Sequence, residues 1–263
     1  MSGDGPPPTR PDRDIFASGA YWREYYSSLG HENRVAGEFL LEVAPHASAS
    51  GLKILDAGCG PTLLYWAVFV PGVSEIHGFD LNPTNIRAVA FWIEQASRGH
   101  FDDAHLEAAS HALAQESSPL TPQQHLQNKA RQVRSLGVAD LSRRWPYEAG
   151  QFDLVQSCFA FECLPDWRSF DAALLEAHRV LRPGGRVALV NVAHGSAWNC
   201  GGQSLPLLSV TANGMREKLV AVGFHVDVLR DVESTDLDWR EQGYGNLLLT
   251  SATKAATNIL GHR

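Results

Sequence analysis

Cysteine, methionine and basic residues are scarce in this chain. Its 263 residues hold four cysteines and two methionines, and 22 Lys and Arg stand against 29 Asp and Glu, for a net charge of −7. No stripe of Lys and Arg is present to replace counterions along a phosphate backbone, so nucleic acid is not the expected partner. Cys59, Cys158, Cys163 and Cys200 form no Cys-x-x-Cys pair and do not alternate with histidine at zinc-ligand spacing. That leaves no metal site and suggests free thiols in a reducing compartment. No run nears the roughly 20 apolar residues of a membrane span. Residues 1–13 are rich in Pro and Gly and lack the apolar core of a signal peptide. A cytoplasmic protein that does not engage a membrane is expected. What the chain does have is a hydrophobic fraction of 44% against 19% charged, enough for one sizeable core.

The order of patterns implies one α/β domain. Residues 1–14 read as a disordered tail, and 15–255 as a single domain. Within 15–45, Tyr21 and Tyr25 share one helical face beside Trp22 and Tyr26, which predicts a helix or helix pair. The run Lys53-Ile-Leu-Asp-Ala-Gly-Cys-Gly-Pro61 is a short apolar strand running into glycines, the opening of a βα unit. Strands are expected again at 74–79, 132–138, 152–157, 186–192, 226–229 and 246–251, with helices at 85–96, 170–181 and 214–222. Arg182-Pro-Gly-Gly185 reads as a helix stop and turn. Residues 99–135 are polar, with Ser118-Pro119 and Thr121-Pro122 between two helical stretches, a helical insertion rather than a second domain. Strand and helix alternating in this way is the doubly wound parallel arrangement.

The glycine segment carries the most chemistry. Glycines after a strand permit positive φ and let backbone N–H groups approach a ligand, at the carboxyl ends of the strands where such folds bind ligands. Asp80 closes the next strand about 20 residues beyond Gly60, a spacing that suits a carboxylate on ribose hydroxyls. A dinucleotide site needs a third glycine where this chain has Leu63, with Pro61 intervening, which weakens a nicotinamide or flavin reading. Asp56, two places before the first glycine, suits a ligand with an amino-acid end. The plain alternative is a structural turn. Asp140, after the third strand, is placed either to meet an adenine amino group or to cap a helix.

Taken together, Asp56-Ala-Gly-Cys-Gly60, Asp80, Phe152-Asp-Leu-Val155 and Leu181-Arg-Pro-Gly-Gly185 resemble the ordered signatures of class I S-adenosylmethionine methyltransferases. Tyr21-Trp-Arg-Glu-Tyr-Tyr26, Gly58-Cys-Gly-Pro-Thr62, Asn85 and Phe101-Asp102 are similar to the nicotinamide, phenylethanolamine and indolethylamine N-methyltransferase family. The resemblance implies a Rossmann-like seven-stranded, mostly parallel sheet whose last strand is antiparallel, under an N-terminal helical lid. It implies S-adenosyl-L-methionine as cofactor, S-adenosyl-L-homocysteine as product, and a small-molecule acceptor; the sequence leaves the oligomeric state open, with a monomer the favoured expectation. By matching position, Tyr26, Gly58, Thr62, Asp80, Asn85 and Asp140 would contact the cofactor. Cys59 would add backbone, Leu141 would flank the adenine, and Gly60, Leu81 and Cys158 would complete the set. Tyr21 and Trp198 would line the substrate side. The chain departs from the family at Leu64, where a tyrosine is usual, at Cys158 for Thr or Ser, and at Asn191 for an acid. The last bears on the acceptor rather than the cofactor.

Methyl transfer from a sulfonium is an in-line displacement on an already activated donor, so positioning matters more than a strong base. Aromatic faces favour a cation, which gives Tyr21, Tyr25, Tyr26 and Trp198 a role beside core packing. Candidate acceptor anchors are Glu162, Asp166, His194, Asp238 and Glu241. Tyr21, His194 and Glu162 are the candidates for a catalytic group, with His194 the base if the acceptor is a phenol. The leading expectation is N-methylation of a small amine or N-heteroaromatic. An O- or C-methyltransferase of the same fold, or a catalytically silent cofactor-binding partner, are the alternatives.

Overall fold

Seven strands form the central sheet, in the spatial order 133–138, 73–80, 52–57, 152–158, 181–193, 246–254 and 224–233. The computed structural model describes residues 19–46, 51–200, 202–233 and 245–256. The N-terminal elements are α1 (Ala20–Tyr25) and α2 (His31–Val43). Next come β1 (Leu52–Ala57), α3 (Leu63–Ala67), β2 (Val73–Asp80) and α4 (Pro83–Ser97). The insertion supplies α5 (Asp103–Glu116) and α6 (Pro122–Gln132), followed by β3 (Val133–Val138), β4 (Phe152–Cys158), α7 (Trp167–Val180) and β5 (Leu181–Ala193). A hairpin of β6 (Ala197–Cys200) and β7 (Gln203–Pro206) precedes α8 (Ala212–Val222), β8 (Phe224–Glu233) and β9 (Asn246–Lys254). β1 pairs in parallel with β2 and β4, and β9 runs antiparallel to both β5 and β8.

The helix starts follow local chemistry. Asn82, Asp102, Thr121, Asp166 and Thr211 each accept a backbone N–H at a helix N-terminus, satisfying a donor the helix cannot. Thr121 and Gln124 close a full capping box. β1 and β4 are buried along nearly their whole length, as strands covered by helices on both faces must be. Apolar clusters fill both faces of the sheet, one under α2, α5 and α6 and the other under α7 and α8. The insertion is tied in by polar bonds: His125 Nε2 donates to the Val68 carbonyl at 2.9 Å, and Lys129 Nζ to that of Val70. One turn apart on α6, these side chains satisfy carbonyls just past α3.

Two features differ from the sequence reading. Arg182–Gly185 is not a turn before the fifth strand but an insertion within it. Leu181 lies opposite Phe152 and Arg186 opposite Leu154, so the intervening residues bulge out, with Gly184 at φ 74°. The β6–β7 hairpin was not expected, because four-residue strands carry too little periodicity. The expected tail, Asp238 and Glu241 lie outside the described residues. Among the described residues no helix is long and apolar enough to cross a membrane.

Candidate active site

The sheet switches direction between β1 and β4, which opens a crevice at their carboxyl ends. The loop after β1 is drawn against the end of β2. The N–H groups of Gly58 and Cys59 both donate to the Phe79 carbonyl at 2.9 Å, and that of Gly60 to Asp80 Oδ2 at 2.9 Å. Gly58 has φ 73°, and a Cβ there would sit 2.7 Å from the Ala160 Cβ and 3.0 Å from Leu141 Cδ1. Only glycine passes here. Asp80 Oδ1 accepts from the Asn82 N–H at 2.7 Å and from Asn85 Nδ2 at 3.1 Å. The carboxylate therefore fixes the loop and the start of α4 together. Burial raises its pKa above the ordinary carboxylate value while these donors oppose the rise.

A cavity of about 420 Å³ lies beyond this loop, within the range of small-molecule sites. Gly58, Gly60, Asp80, Leu81, Asn85, Asp140, Leu141 and Tyr26 line it, and so do Tyr21, Trp198 and Glu162. Tyr25 lines it as well, whereas Cys59, Thr62, Cys158, Asp166 and His194 do not. Cys59 is buried, and Thr62 Oγ1 turns back to donate to the Cys59 carbonyl at 2.7 Å; both act within the loop. Cys158 is buried at the end of β4, off the lining. Asp56 is also absent from the lining. Its carboxyl is fully buried and accepts from Gln156 Nε2 at 3.0 Å, because these residues are register partners on neighbouring strands. His194 is exposed and its Nε2 pairs with Asp231 Oδ2 at 2.9 Å, away from the cavity. Asp166 caps α7.

Glu162 is the buried acid of this cavity. Its Oε1 accepts from the Val192 N–H at 2.7 Å and its Oε2 from Asn191 Nδ2 at 2.6 Å. Burial pushes its pKa up to about 7, against the pull of those two donors. Asn191 thus holds the carboxyl of Glu162 in place. Asp140 Oδ1 accepts from the Ser142 N–H at 2.9 Å and from its hydroxyl at 2.7 Å, an Asx turn that shapes the rim.

The opposite wall is aromatic. Tyr21 meets Tyr26 edge-on at 5.2 Å and Trp198 at 5.2 Å; the Tyr21 and Tyr26 hydroxyls bond each other at 3.0 Å. Burial raises both hydroxyls well above their usual range, so both stay protonated. Sequence reasoning did not find Phe159, which lines the cavity at φ 59°. A bulky residue in the left-handed region is strained, and such outliers gather at functional sites. It also missed Glu32, Leu205, Leu207 and Leu208 on the lining, for which the chain offers no motif. Among the described residues four carboxyl groups line the cavity (Glu32, Asp80, Asp140 and Glu162) and no Lys, Arg or His does.

Six residues are too few for α1 to be stable alone, so its seat must come from side chains. Trp22 supplies one. It stacks on His105 at 5.5 Å with an interplanar angle of 15° and packs on Trp92 at 5.1 Å. His105 Nδ1 is held by both oxygens of Asp102 at 2.8 and 2.9 Å. Trp22→Ala is expected to speed amide hydrogen exchange across 20–26 by on the order of tenfold, and Trp22→Phe to do so much less. Equal exchange in wild type and the alanine variant would show that the lid is seated by its tyrosines alone.

A sequence profile of the NNMT/PNMT/TEMT family matches residues 11–255. Phenylethanolamine N-methyltransferase of Mus musculus is 27% identical over 198 residues, covering 73% of this chain and 66% of the mouse protein. The Homo sapiens protein of that name is 28% identical over 187 residues, covering 69% of this chain and 65% of its own. The chain's match thus spans just under two thirds of either relative's length. A solved structure of Burkholderia thailandensis 1,6-didemethyltoxoflavin-N1-methyltransferase, with 1,6-didemethyltoxoflavin and S-adenosylhomocysteine bound, is similar with a TM-score of 0.55 at 18% identity. It covers 96% of this chain and 93% of its own. At that identity the likeness is one of fold.

Proposed function

Given that the chain belongs to the NNMT/PNMT/TEMT family, we propose that it is an S-adenosylmethionine-dependent methyltransferase that methylates nitrogen in a small amine or N-heteroaromatic acceptor. The observation that carries this reading is the charge of the cavity, four carboxyl groups and no basic side chain among its described lining residues. Such a lining attracts a cation and repels an ionised phenol or carboxylic acid. The aromatic faces of Tyr21, Tyr26 and Trp198 act in the same direction. His194, the base an O-methyltransferase would call on, is paired with Asp231 outside the cavity.

The residues present fit the cofactor. Gly58 leaves room for close approach where a Cβ would collide with Ala160, and Asp80 presents a partly buried carboxylate to the cavity. Gly58, Gly60, Asp80, Asn85 and Leu141 would hold S-adenosylmethionine, which when bound supplies an activated methyl group. The chain's own part is to keep the acceptor nitrogen unprotonated and aligned, and to exclude water. Glu162 suits the first task. With a pKa near 7, its carboxylate can take a proton from an incoming ammonium at Oε1 or Oε2, becoming a neutral carboxyl, and once that proton has passed to solvent the restored carboxylate can pair with the cationic methylated product.

Glu162 is neutral below its pKa and ionised above it, so kcat/KM for an amine should rise as pH passes through about 7. In Glu162→Gln that limb should vanish, with kcat/KM at pH 8 lower by on the order of a hundredfold and S-adenosylhomocysteine affinity unchanged. Labelled methyl transfer to a panel of amines, phenols and carbon acids tests the reading. Transfer confined to oxygen or carbon would overturn it.

A further inference from the structure

We propose that Phe159 sets how crowded a nitrogen this site will methylate, admitting a primary amine and shutting out the same amine once it carries one methyl group. This rests on the amine reading above and assigns a residue to its specificity.

Phe159 has φ 59°, a conformation in which glycine is unstrained and a residue with a Cβ is not. Two bonds hold it there. Its N–H donates to the Val190 carbonyl on β5 at 2.8 Å, and its carbonyl accepts from Cys163 Sγ at 3.5 Å. The kink turns the chain out of β4, setting Ala160 against the glycine loop and Glu162 on the cavity. Glycine would make the same turn at no steric cost, so what phenylalanine adds is its ring.

That ring stands at the seam between the two halves of the cavity. Phe159 is half-buried, lines the cavity and packs 6.0 Å from Trp66. Trp66 is buried on α3, directly behind the glycine loop, and meets Tyr26 edge-on at 6.2 Å. The Tyr26 hydroxyl in turn bonds that of Tyr21. On the cofactor side, the Cβ of the next residue, Ala160, lies 2.7 Å from where a Cβ on Gly58 would be. On the acceptor side, the same short turn carries Glu162. A ring held between these groups borders the space where donor methyl and acceptor nitrogen must meet.

In-line transfer fixes that space. The nitrogen lone pair forms the new C–N bond while the C–S electron pair stays on sulfur, leaving a secondary ammonium. That ammonium must shed one proton before its lone pair is free again, and a second transfer then needs room at the seam for the methyl already attached. A ring pinned by Trp66 and by its own backbone does not yield that room, and one misfitting methyl lowers kcat/KM by about tenfold or more.

The test measures kcat/KM for 2-phenylethylamine and for its N-methyl derivative, on the full chain and on Phe159→Gly and Phe159→Ala, with products resolved by mass spectrometry. The wild type should favour the primary amine by about tenfold or more and stop at the monomethylated product. In Phe159→Gly the two values should come within about threefold of each other, and dimethylated product should accumulate. Phe159→Ala loses the ring but keeps the strain, so it should show the same change of preference while melting about 2–4 °C below Phe159→Gly. A purely structural role would lower transfer to both amines in parallel. An unchanged ratio in both variants, or a wild type that dimethylates as readily as it monomethylates, would overturn the inference and leave the amine reading intact. Transfer to neither amine, beside transfer to phenols or carbon acids, would instead overturn the amine reading and this inference with it.

Discussion

Asp80→Ala is expected to weaken S-adenosylhomocysteine binding by roughly 2–4 kcal/mol, on the order of a hundredfold. Two losses combine. The carboxylate that would receive the ribose hydroxyls is removed, and the N–H groups of Gly60 and Asn82, at 2.9 and 2.7 Å from its oxygens, lose their acceptor. Freed in this way, the glycine loop is no longer tied to the end of β2. Asp80→Asn keeps the shape, but its amide nitrogen must face one of those N–H donors, so it should fall between wild type and alanine. Calorimetry on both variants, with melting temperature as a control for folding, checks the order. Unchanged affinity in the alanine variant would mean that the sugar is held elsewhere.

The second large effect concerns stability. Asp56 is fully buried, and its pKa is raised from 3.8 to about 7, chiefly by desolvation, with the nearby Asp80 charge adding to it and the Gln156 bond opposing. Asp56 Oδ1 and Gln156 Oε1 are both buried without a partner, while Gln156 Nε2 donates to Asp56 Oδ2. A proton on Asp56 satisfies both orphans, closing an acid–amide pair between β1 and β4. Because the folded state holds this proton above the unfolded pKa, the contribution of Asp56 to stability is fully present below about pH 4. It is lost as pH rises through about 7. Asp56→Asn keeps a donor toward Gln156 at every pH and carries no charge. The stability of Asp56→Asn relative to wild type should therefore grow by about 2 kcal/mol between pH 5 and pH 8. Urea unfolding at the two pH values measures it; a difference independent of pH would mean that Asp56 is ionised in the fold.

The glycine loop, Asp80 and the alternating strands were legible because each rests on local physics: positive φ needs glycine, and covered strands need apolar runs. The seven-stranded sheet with its antiparallel β9 follows from that alternation and from the family resemblance. What stayed hidden depends on where side chains turn. Nothing in the chain around Asp56 states that Gln156 is its register partner, so a carboxylate expected at the ligand is found between strands. Thr62 and Cys59 have the right neighbours in sequence but close the loop on itself. Trp198 was placed by resemblance, whereas Leu205 to Leu208 were not found, since a hairpin of two four-residue strands is held by tertiary packing rather than by its own pattern. His194 shows the same limit. Its position beside the fifth strand was readable, its pairing with Asp231 on β8 was not.

The account stands on the cavity beside Gly58 and Asp80 receiving S-adenosylmethionine and its product. Calorimetric titration of the intact chain with S-adenosylhomocysteine tests this most directly, with NAD as the control nucleotide. One saturable site for S-adenosylhomocysteine, lost or much weakened in Asp80→Ala, and no heat with NAD is the predicted result. Absence of binding by S-adenosylhomocysteine, or binding that Asp80→Ala leaves untouched, would contradict it.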